Sequence, residues 1–409
     1  MTACAIEKAT VLRAGFTIAS DGSYAACLTE SGEGGWYPER WTLAGPEPYT
    51  VPLPGNQPEE PGTEVLPLPD GRVLIRRRVA DRFDLALLYP TGPGTGELPL
   101  GSLKSLEGEE VRLLPPVAGA AFALAPTEGA TQVWLVCGSG GGNHSGGPQL
   151  LATVRGRCTG GVWLDRAGRM LALDRVGPDG GRTKAVAVDL RQGEVTPLLQ
   201  IAEDSNDRVL LAEPDSGLLM LRSDAPGTDR LGWGVLGSRR PVRFPEALRM
   251  ADTVLTPFAA QSGQILMPEG AAVALRAEGP DGAAPVVWRP GERTVTWLTA
   301  PEGWLAGTGL WSARGSLRLP YACERWPFGL SEYEAPAAAP VAAVTGAARA
   351  AVTGAARAAV TGAARAAVTG AARAAVEGAA TVDGPAGDEP RPMSVLPLQQ
   401  APLDPARAR

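Results

Sequence analysis

The chain has 409 residues, 44% of them hydrophobic and 20% charged, values typical of a globular protein large enough to bury a sizeable core. Its 52 Gly and 38 Pro are well above average usage, so turns must be frequent. Residues 335–409 hold seven Arg and five acidic residues, which leaves 31 basic and 39 acidic residues in the rest. This acidic balance argues against nucleic acid as a partner, because phosphate backbones require clustered positive charge.

The N-terminus, MTACAIEKATVLRAGF, lacks a basic segment followed by an apolar run, and no stretch of about 18 apolar residues occurs, so we expect no secretory signal and no membrane partner. Only three of the 38 basic residues are Lys, which with the excess of Ala, Gly and Pro is typical of a GC-rich bacterial genome. We therefore predict a bacterial, cytoplasmic protein. The odd number and wide spacing of its cysteines are typical of buried free thiols; they are Cys4, Cys27, Cys137, Cys158 and Cys323.

Residues 161–200 contain the clearest example of a recurring unit. Four short β-prone runs are separated by turn sequences in which Gly supplies positive φ and Asp can accept a bond from its own backbone. The runs are Val162–Leu164, Met170–Val176, Thr183–Leu190 and Val195–Leu198. Four strands joined by tight turns make one blade of a β-propeller.

The first turn of this unit, a polar residue and Gly between two apolar runs, recurs seven times. The turns are Asp21-Gly22, Asp70-Gly71, Glu128-Gly129, Asp165 to Gly168, Asp215 to Gly217, Glu269-Gly270 and Arg314-Gly315. Their mean spacing of about 49 residues is close to the length of known propeller repeats. The sequence therefore predicts an all-β fold, a propeller of seven blades with four strands each over residues 1–334; six or eight blades also fit the irregular spacing around Gly129.

Two segments raise questions of pairing and charge. The run Ala9–Ile18 could close the ring by pairing beside Ser316–Pro320.

Arg76, Arg77 and Arg78 resemble a basic patch, but on a strand Arg77 points opposite to its neighbours. We interpret these arginines as solvated edge positions.

The loop at residues 138–147, GSGGGNHSGG, follows an apolar strand and precedes another. Phosphate-binding glycine loops open a helix, so a hairpin connection is the better interpretation. His144 is the only histidine, which excludes a multi-histidine metal site, and a glycine-rich loop is a poor platform for a nucleophile. We predict no catalytic residue, metal or cofactor here, and place a ligand or partner contact at Asn143, His144 and Ser145.

Aromatic residues are dense near the end of the propeller region, where we expect them to fill the space between blades. They are Trp297, Trp304, Trp311, Tyr321, Trp326, Phe328 and Tyr333. Trp326 is the exception, because its sequence context is typical of a loop, and it is the fourth candidate contact residue. The aspartates of the first turns are explained by turn chemistry alone and are interpreted as structural.

The composition changes after Glu334. Residues 335–382 contain an Ala-rich octapeptide repeat, whose period prevents any apolar stripe from persisting on a helix and whose regular glycines oppose helix formation. Residues 383–409 are Pro-rich. We predict a linker followed by a disordered Ala/Pro-rich C-terminal tail.

The run Ala19–Leu28, followed by Glu39–Leu43, resembles blades of TolB-like propellers and of the propeller beside the hydrolase domain in prolyl-oligopeptidase-type enzymes. The resemblance extends over residues 10–334. It implies a propeller that binds or filters ligands. In the peptidases the catalytic residues lie in a separate α/β-hydrolase domain, of which this sequence has no trace.

We therefore predict a non-catalytic binding or scaffolding propeller whose ligand is a protein or a small molecule. Two alternatives stay open: an enzyme with a site in the propeller channel, and an accessory protein that acts through its C-terminal tail. Convergent carboxylates with strongly perturbed pKa values in one pocket would favour the enzyme.

Overall fold

Seven antiparallel sheets form the fold of the described chain. A computed structural model describes residues 12–335 apart from 33, 93, 139–146, 178–179 and 263–266. Five sheets have four strands and two have three, and every sheet is built from strands that follow one another in sequence. The only helical residues in these ranges form two 3-10 turns, Glu246–Leu248 and Pro268–Gly270. The predicted all-β propeller with seven blades is confirmed.

The strands are numbered in chain order, with the first strand of each blade innermost. Blades 1 to 3 contain β1 Arg13–Ile18, β2 Tyr24–Glu30, β3 Trp36–Thr42, β4 Tyr49–Pro52, β5 Glu64–Pro67, β6 Val73–Val79, β7 Arg82–Pro90, β8 Thr95–Lys104, β9 Arg112–Leu113, β10 Ala121–Thr127, β11 Ala130–Cys137 and β12 Gln149–Arg155. Blades 4 and 5 contain β13 Cys158–Trp163, β14 Met170–Val176, β15 Thr183–Asp189, β16 Glu194–Leu199, β17 Asp207–Glu213, β18 Leu218–Ser223 and β19 Arg230–Val235. Blades 6 and 7 contain β20 Val254–Ala260, β21 Val273–Gly279, β22 Gly282–Trp288, β23 Thr296–Trp297, β24 Leu310–Trp311, β25 Ser316–Tyr321 and β26 Gly329–Glu334.

Blade 4 has the four predicted strands, although β13 begins at Cys158, four residues before the predicted run Val162–Leu164. Its central strands β14 and β15 are apolar on both faces, because each face packs against a neighbouring blade. The blades with three strands depart from the expected four. In blade 5 a single bridge between Trp233 and Arg243 stands in place of a fourth strand, and in blade 7 the described chain ends at Ala335, directly after β26.

The hydrophobic core consists of seven clusters, and each lies between two adjacent blades. One joins blades 1 and 2, the next joins blades 2 and 3, and the series continues to a cluster between blades 7 and 1. The first strands of neighbouring blades lie side by side, as β1 beside β5 and β17 beside β20. The blades therefore form a closed ring around a central channel.

Within the described residues the ring closes by side-chain packing. β1 pairs with β2 inside blade 1, and β25 already has β24 and β26 as its two neighbours. The idea that Ala9–Ile18 pairs beside Ser316–Pro320 is therefore wrong for its described part. Apolar side chains cross the junction instead, among them Trp41 and Cys27 from blade 1 against Leu310 and Phe328 from blade 7.

Six of the seven predicted first turns join the first and second strands of a blade. The exception is Glu128-Gly129, which joins β10 to β11, the second and third strands of blade 3. The first turn of that blade is Val117-Ala118-Gly119-Ala120, which has no acidic residue and was therefore missed. With Gly119 in place, glycines 22, 71, 119, 168 and 217 are spaced by 49, 48, 49 and 49 residues.

The arginine run on β6 has a different role from the predicted one. Arg77 does face away from its neighbours and pairs with Glu59 and Glu97. Arg76, however, is only 2% exposed, and its guanidinium lies 4.8 Å from the centre of the Phe83 ring. β6 is a central strand, so the prediction of solvated edge positions is wrong for Arg76.

The aromatic residues near the end of the propeller pack largely as predicted. Trp304, Trp311 and Tyr333 belong to the cluster between blades 6 and 7, and Phe328 to the cluster between blades 7 and 1. Trp297 does not follow the prediction, since it lies 54% exposed on the outermost strand of blade 6.

Residues 336–409, with the repeat linker and the Pro-rich tail, lie outside the described residues. The last described strand ends at Glu334, where the composition changes. Within the described part of the chain, no helix has the length and apolar character required to cross a membrane.

Candidate functional site at the channel mouth

The first turns of the seven blades lie at one end of the channel. Each innermost strand runs toward this end, and the turn that follows it leads back along the second strand. Two neighbouring cavities open here, and we call this end of the channel the mouth. The walls of these cavities include turns that identified blades in the sequence, such as Asp21-Gly22 and Asp165 to Gly168, together with the first turn of blade 3, which the sequence analysis missed.

The larger cavity has a volume of about 680 Å³ and draws its walls from five blades. Most of its lining is apolar, including Val162, Leu210, Leu211 and Phe258. Trp163 also lines it, and its indole N–H donates to the Pro115 carbonyl oxygen at 2.8 Å, so the polar atom of this ring is already bonded. The wall thus presents mainly carbon surface to the cavity.

The second cavity, of about 540 Å³, lies beside it, and most of its lining comes from blades 6, 7 and 1, with Arg166 of blade 4 and Asp215 of blade 5. Ser20, Asp21 and Arg166 line both cavities. Trp311 and Ser262 are among the other residues of its wall. The shared residues make the two cavities parts of one site.

Arg166 is held in the mouth by carboxylates from the next blade. Its Nε and Nη2 donate to the two carboxylate oxygens of Asp215 at 2.6 and 2.5 Å, and Nη2 also donates to Glu213 Oε1 at 3.2 Å. Glu213 is buried, and its other oxygen accepts from the backbone N–H and the hydroxyl of Ser216. The hydrogen bond with Asp215 raises the pKa of Arg166 above its usual value, so the guanidinium stays cationic.

The turn aspartates differ in how much of each carboxylate is used. Asp165 accepts the backbone N–H of Arg169 through Oδ1 and that of Met170 through Oδ2. Asp21 uses Oδ1 alone, for the backbone N–H and hydroxyl of Ser23. The predicted turn hydrogen bonds are present at Asp21, Asp70 and Asp165.

Asp215 has a role that the sequence analysis did not predict. Its carboxylate accepts hydrogen bonds from Arg166 and so links blade 5 to blade 4. A signal for this pair is present in the sequence. Arg166 and Asp215 each stand two residues before their turn glycine, Gly168 and Gly217, and thus hold equivalent positions in consecutive blades.

The predicted contact residues do not define the mouth. Asn143, His144 and Ser145 lie outside the described residues. Trp326 is described and 54% exposed, with the Arg325 guanidinium 5.6 Å from its ring centre. It lies in the connection between β25 and β26, at the opposite end of the blade from the first turns, and lines neither cavity.

The carboxylate with a raised pKa also lies away from the mouth. Burial raises the pKa of Asp174 to about 6, and Asp174 sits between blades 4 and 5, where its Oδ1 accepts the backbone N–H of Val209 at 3.1 Å. Among the described residues, no group of three or more His, Cys, Asp or Glu side chains is arranged to hold a metal ion.

Comparison with known proteins finds no matching family model and no matching curated protein. Solved structures do match. A puromycin-hydrolysing peptidase from Mycobacterium tuberculosis is 14% identical with a TM-score of 0.51, over 79% of this chain and 51% of the peptidase. The β-propeller domain of the Trilobed protease from Pyrococcus furiosus is 9% identical with a TM-score of 0.51, over 82% of this chain and 98% of that domain.

TolB from Acinetobacter baumannii also matches, with 12% identity, a TM-score of 0.38 and coverage of 78% of both chains. The resemblance predicted from the sequence to peptidase propellers is confirmed for the fold by the two structures with a TM-score of 0.51. The chain spans about half the length of the Mycobacterium tuberculosis peptidase. At these identities the likeness shows the fold alone.

Proposed function

We propose that this protein is a ligand-binding propeller and that its binding site is the mouth of the central channel. The observation that carries the proposal is the cavity of about 680 Å³ whose wall is assembled from five blades around the fixed side chain of Arg166. A cavity of this volume falls in the range of roughly 300–1,000 Å³ typical of small-molecule sites.

The composition of the wall supports binding of a compound with an apolar body. Small-molecule sites typically combine apolar walls with a few fixed polar groups. In the mouth the apolar wall is provided by residues such as Leu210 and Phe258, and the polar groups are Arg166, Asp21 and Ser20. Nη1 of Arg166 makes no hydrogen bond with the described residues, so it is left to donate to a ligand oxygen.

Binding is preferred over catalysis because of the state of the carboxylates. Three of the four mouth carboxylates, Asp165, Asp215 and Glu213, are engaged by backbone N–H groups or by Arg166, which leaves Asp21 without the second carboxylate that paired acid–base catalysis would use. A general acid or base must reach a substrate proton, and these groups are directed at the protein instead. The absence of catalytic activity, and the cytoplasmic location, stay predictions.

A fragment screen by saturation-transfer NMR tests the proposal with the full chain. Ser20 is exposed and lines both cavities, so Ser20→Trp should fill the mouth without disturbing the core. Ser102→Trp is the matched control, because Ser102 is exposed on β8, the outermost strand of blade 2.

We expect apolar fragments to bind the wild type and Ser102→Trp and to lose binding to Ser20→Trp. Equal binding to all three proteins would place the site elsewhere and overturn the proposal. A screen in which no fragment binds the wild type would overturn it as well.

A further inference from the structure

We infer that the ligand of the mouth is an organic cation, an apolar compound that carries a positive charge. This inference rests on the proposed function and adds the chemical class of the ligand. It depends on the balance of charges around the cavities, on which of those charges are already neutralised, and on the aromatic wall.

Four carboxylates and one guanidinium belong to the mouth. Asp21, Asp165 and Arg166 line the larger cavity, and Asp215 lines the smaller one. Glu213 lies directly behind them and contacts Arg166. A ligand in the mouth therefore meets an excess of negative charge, which attracts cations and repels anions within about 10 Å at ordinary ionic strength.

The single cation of the mouth does not offset this excess for a ligand. Its charge is shared between Asp215 and Glu213, both within 3.2 Å of Nη2. Nη1 can still donate a hydrogen bond to a neutral oxygen, but an anion placed there would have to approach the two carboxylates as well. The geometry thus favours a hydroxyl or carbonyl group at Arg166 over a carboxylate.

Asp21 is the carboxylate best placed to receive a ligand cation. It is exposed, it lines both cavities, and its Oδ2 makes no hydrogen bond with the described residues, whereas Oδ1 is used by Ser23. An ammonium group above the cavity could therefore bind Oδ2 without breaking an existing contact.

The aromatic residues of the wall give an independent reason to expect a cation. Trp163 and Phe258 line the larger cavity, on different blades. Aromatic rings attract cations through the negative charge of their faces, in addition to the apolar surface that they offer. An organic cation can use both properties, with its apolar body in the cavity and its charge toward Asp21.

Other charged groups lie on the same face of the propeller. Arg72 is paired with Asp70 at 2.6 Å, and Arg169 with Asp189 at 2.6 Å, so neither pair adds net charge. Arg314 stands in the first turn of blade 7 and lines neither cavity. Arg314 also interacts with the carboxylate of Glu332, and the groups that line or back the cavities remain four carboxylates and one guanidinium.

Three probes with the same naphthalene body test the inference: 1-naphthylmethylamine, which is cationic at pH 7, neutral 1-naphthylmethanol, and anionic 1-naphthoate. Their dissociation constants are measured by NMR titration of the full chain at low and high salt. We expect the cation to bind roughly fivefold more tightly than the alcohol at low salt, the factor for one exposed ion pair, and the anion to bind most weakly. The differences should shrink at high salt.

Asp21→Asn should lower the affinity of the cation by more than that of the alcohol, and so remove most of the advantage of the cation, while the amide Oδ1 can still accept from Ser23. Asp81→Asn is the matched control for charge, since Asp81 is highly exposed in the connection between β6 and β7, at the other end of the blades.

If the alcohol binds and Ser20→Trp blocks it, but the three probes bind with equal affinity or the anion binds best, the inferred ligand class is wrong and the site itself stands. An equal loss of cation binding in Asp21→Asn and Asp81→Asn would also overturn the inference. If no probe binds, or Ser20→Trp does not block binding, the proposed function fails and the inference fails with it.

Discussion

The ring of Phe328 in blade 7 lies edge-on to the indole of Trp41 in blade 1, with ring centres 6.3 Å apart and planes inclined by 76°. Trp41 is fully buried and also meets Phe16 edge-on at 5.0 Å, while its Nε1 donates to the buried carboxylate of Glu39 at 2.9 Å. This contact is part of the packing that joins the two ends of the described ring.

Removal of the Phe328 ring should therefore weaken the whole propeller. We expect Phe328→Ala to lower the free energy of unfolding by about 2–3 kcal/mol, somewhat less than for a fully buried Phe. Urea unfolding monitored by tryptophan fluorescence measures the change. The control is Trp326→Ala, two residues away on the exposed loop, which should cost less than about 0.5 kcal/mol. Equal effects of the two substitutions would show that the contact with Trp41 does not hold the blades together.

A comparison of Gly168→Ala with Gly193→Ala separates the cost of backbone strain from the cost of close packing. Both have a φ of +70°, so an Ala at either site costs about 1–2 kcal/mol of strain. A Cβ added at Gly168 would lie 2.7 Å from Cγ1 of Val117 in the neighbouring blade. A Cβ added at Gly193 would have no neighbouring atom within 4 Å. We expect Gly168→Ala to be less stable than Gly193→Ala by a further 1–3 kcal/mol, the usual cost of overpacking. Thermal melts that place both variants at the same Tm would contradict this.

Asp174 should make the propeller less stable as the pH rises. Burial raises the pKa of its carboxyl to about 6 from the ordinary value of 3.8, so the folded state holds the proton more tightly than the unfolded state. The stability contributed by this group is greatest below about pH 4, falls as the pH rises to about 6, and is constant above it, a total loss of about 3 kcal/mol.

Asp174→Asn keeps an acceptor for the Val209 N–H and removes the titration. The difference in unfolding free energy between this variant and the wild type should therefore shift in favour of the variant between pH 4 and pH 7, as measured by urea unfolding at each pH. A difference that does not change with pH would refute the assignment. Asp81→Asn, at a highly exposed position, controls for the change in net charge.

Three cysteines should resist thiol reagents in the native protein. Burial raises the pKa of Cys27 to about 12 and the pKa values of Cys137 and Cys158 to about 11, so very little thiolate is present at pH 8. Alkylation with iodoacetamide followed by peptide mass spectrometry should find these three unmodified, and all of them modified in 6 M guanidinium. Rapid native labelling of Cys27 would indicate that the contact between blades 7 and 1 opens.

The sequence predicts the blades well where local chemistry determines them. In blade 4 the strands and turns follow from apolar runs and from the Asp165 to Gly168 turn. Blade 3 was assigned the wrong first turn, because Val117-Ala118-Gly119-Ala120 lacks the polar residue that marks the others. The predicted disorder of the C-terminal tail stays a prediction, because residues 336–409 lie outside the described residues.

The candidate site was harder to predict, because it is made by residues distant in the chain. Strand alternation places Arg76 and Arg77 on opposite faces, but it does not reveal that Phe83 covers the first of them. Likewise, turn chemistry accounts for Asp165 alone, while the pairing of Arg166 with Asp215 requires the register between two blades. Alignment of the repeats on their turn glycines would have supplied that register.

The pairing of every sheet from strands consecutive in the chain has a consequence for biosynthesis. A blade of about 40–50 residues can complete its hydrogen bonding as soon as it has left the ribosome, without waiting for a distant segment. The contact order inside each blade is low for an all-β protein, and low contact order favours fast folding. Translation can then add blades one at a time to a growing stack, and among the described strands the ring needs one long-range contact, the packing of blade 7 against blade 1.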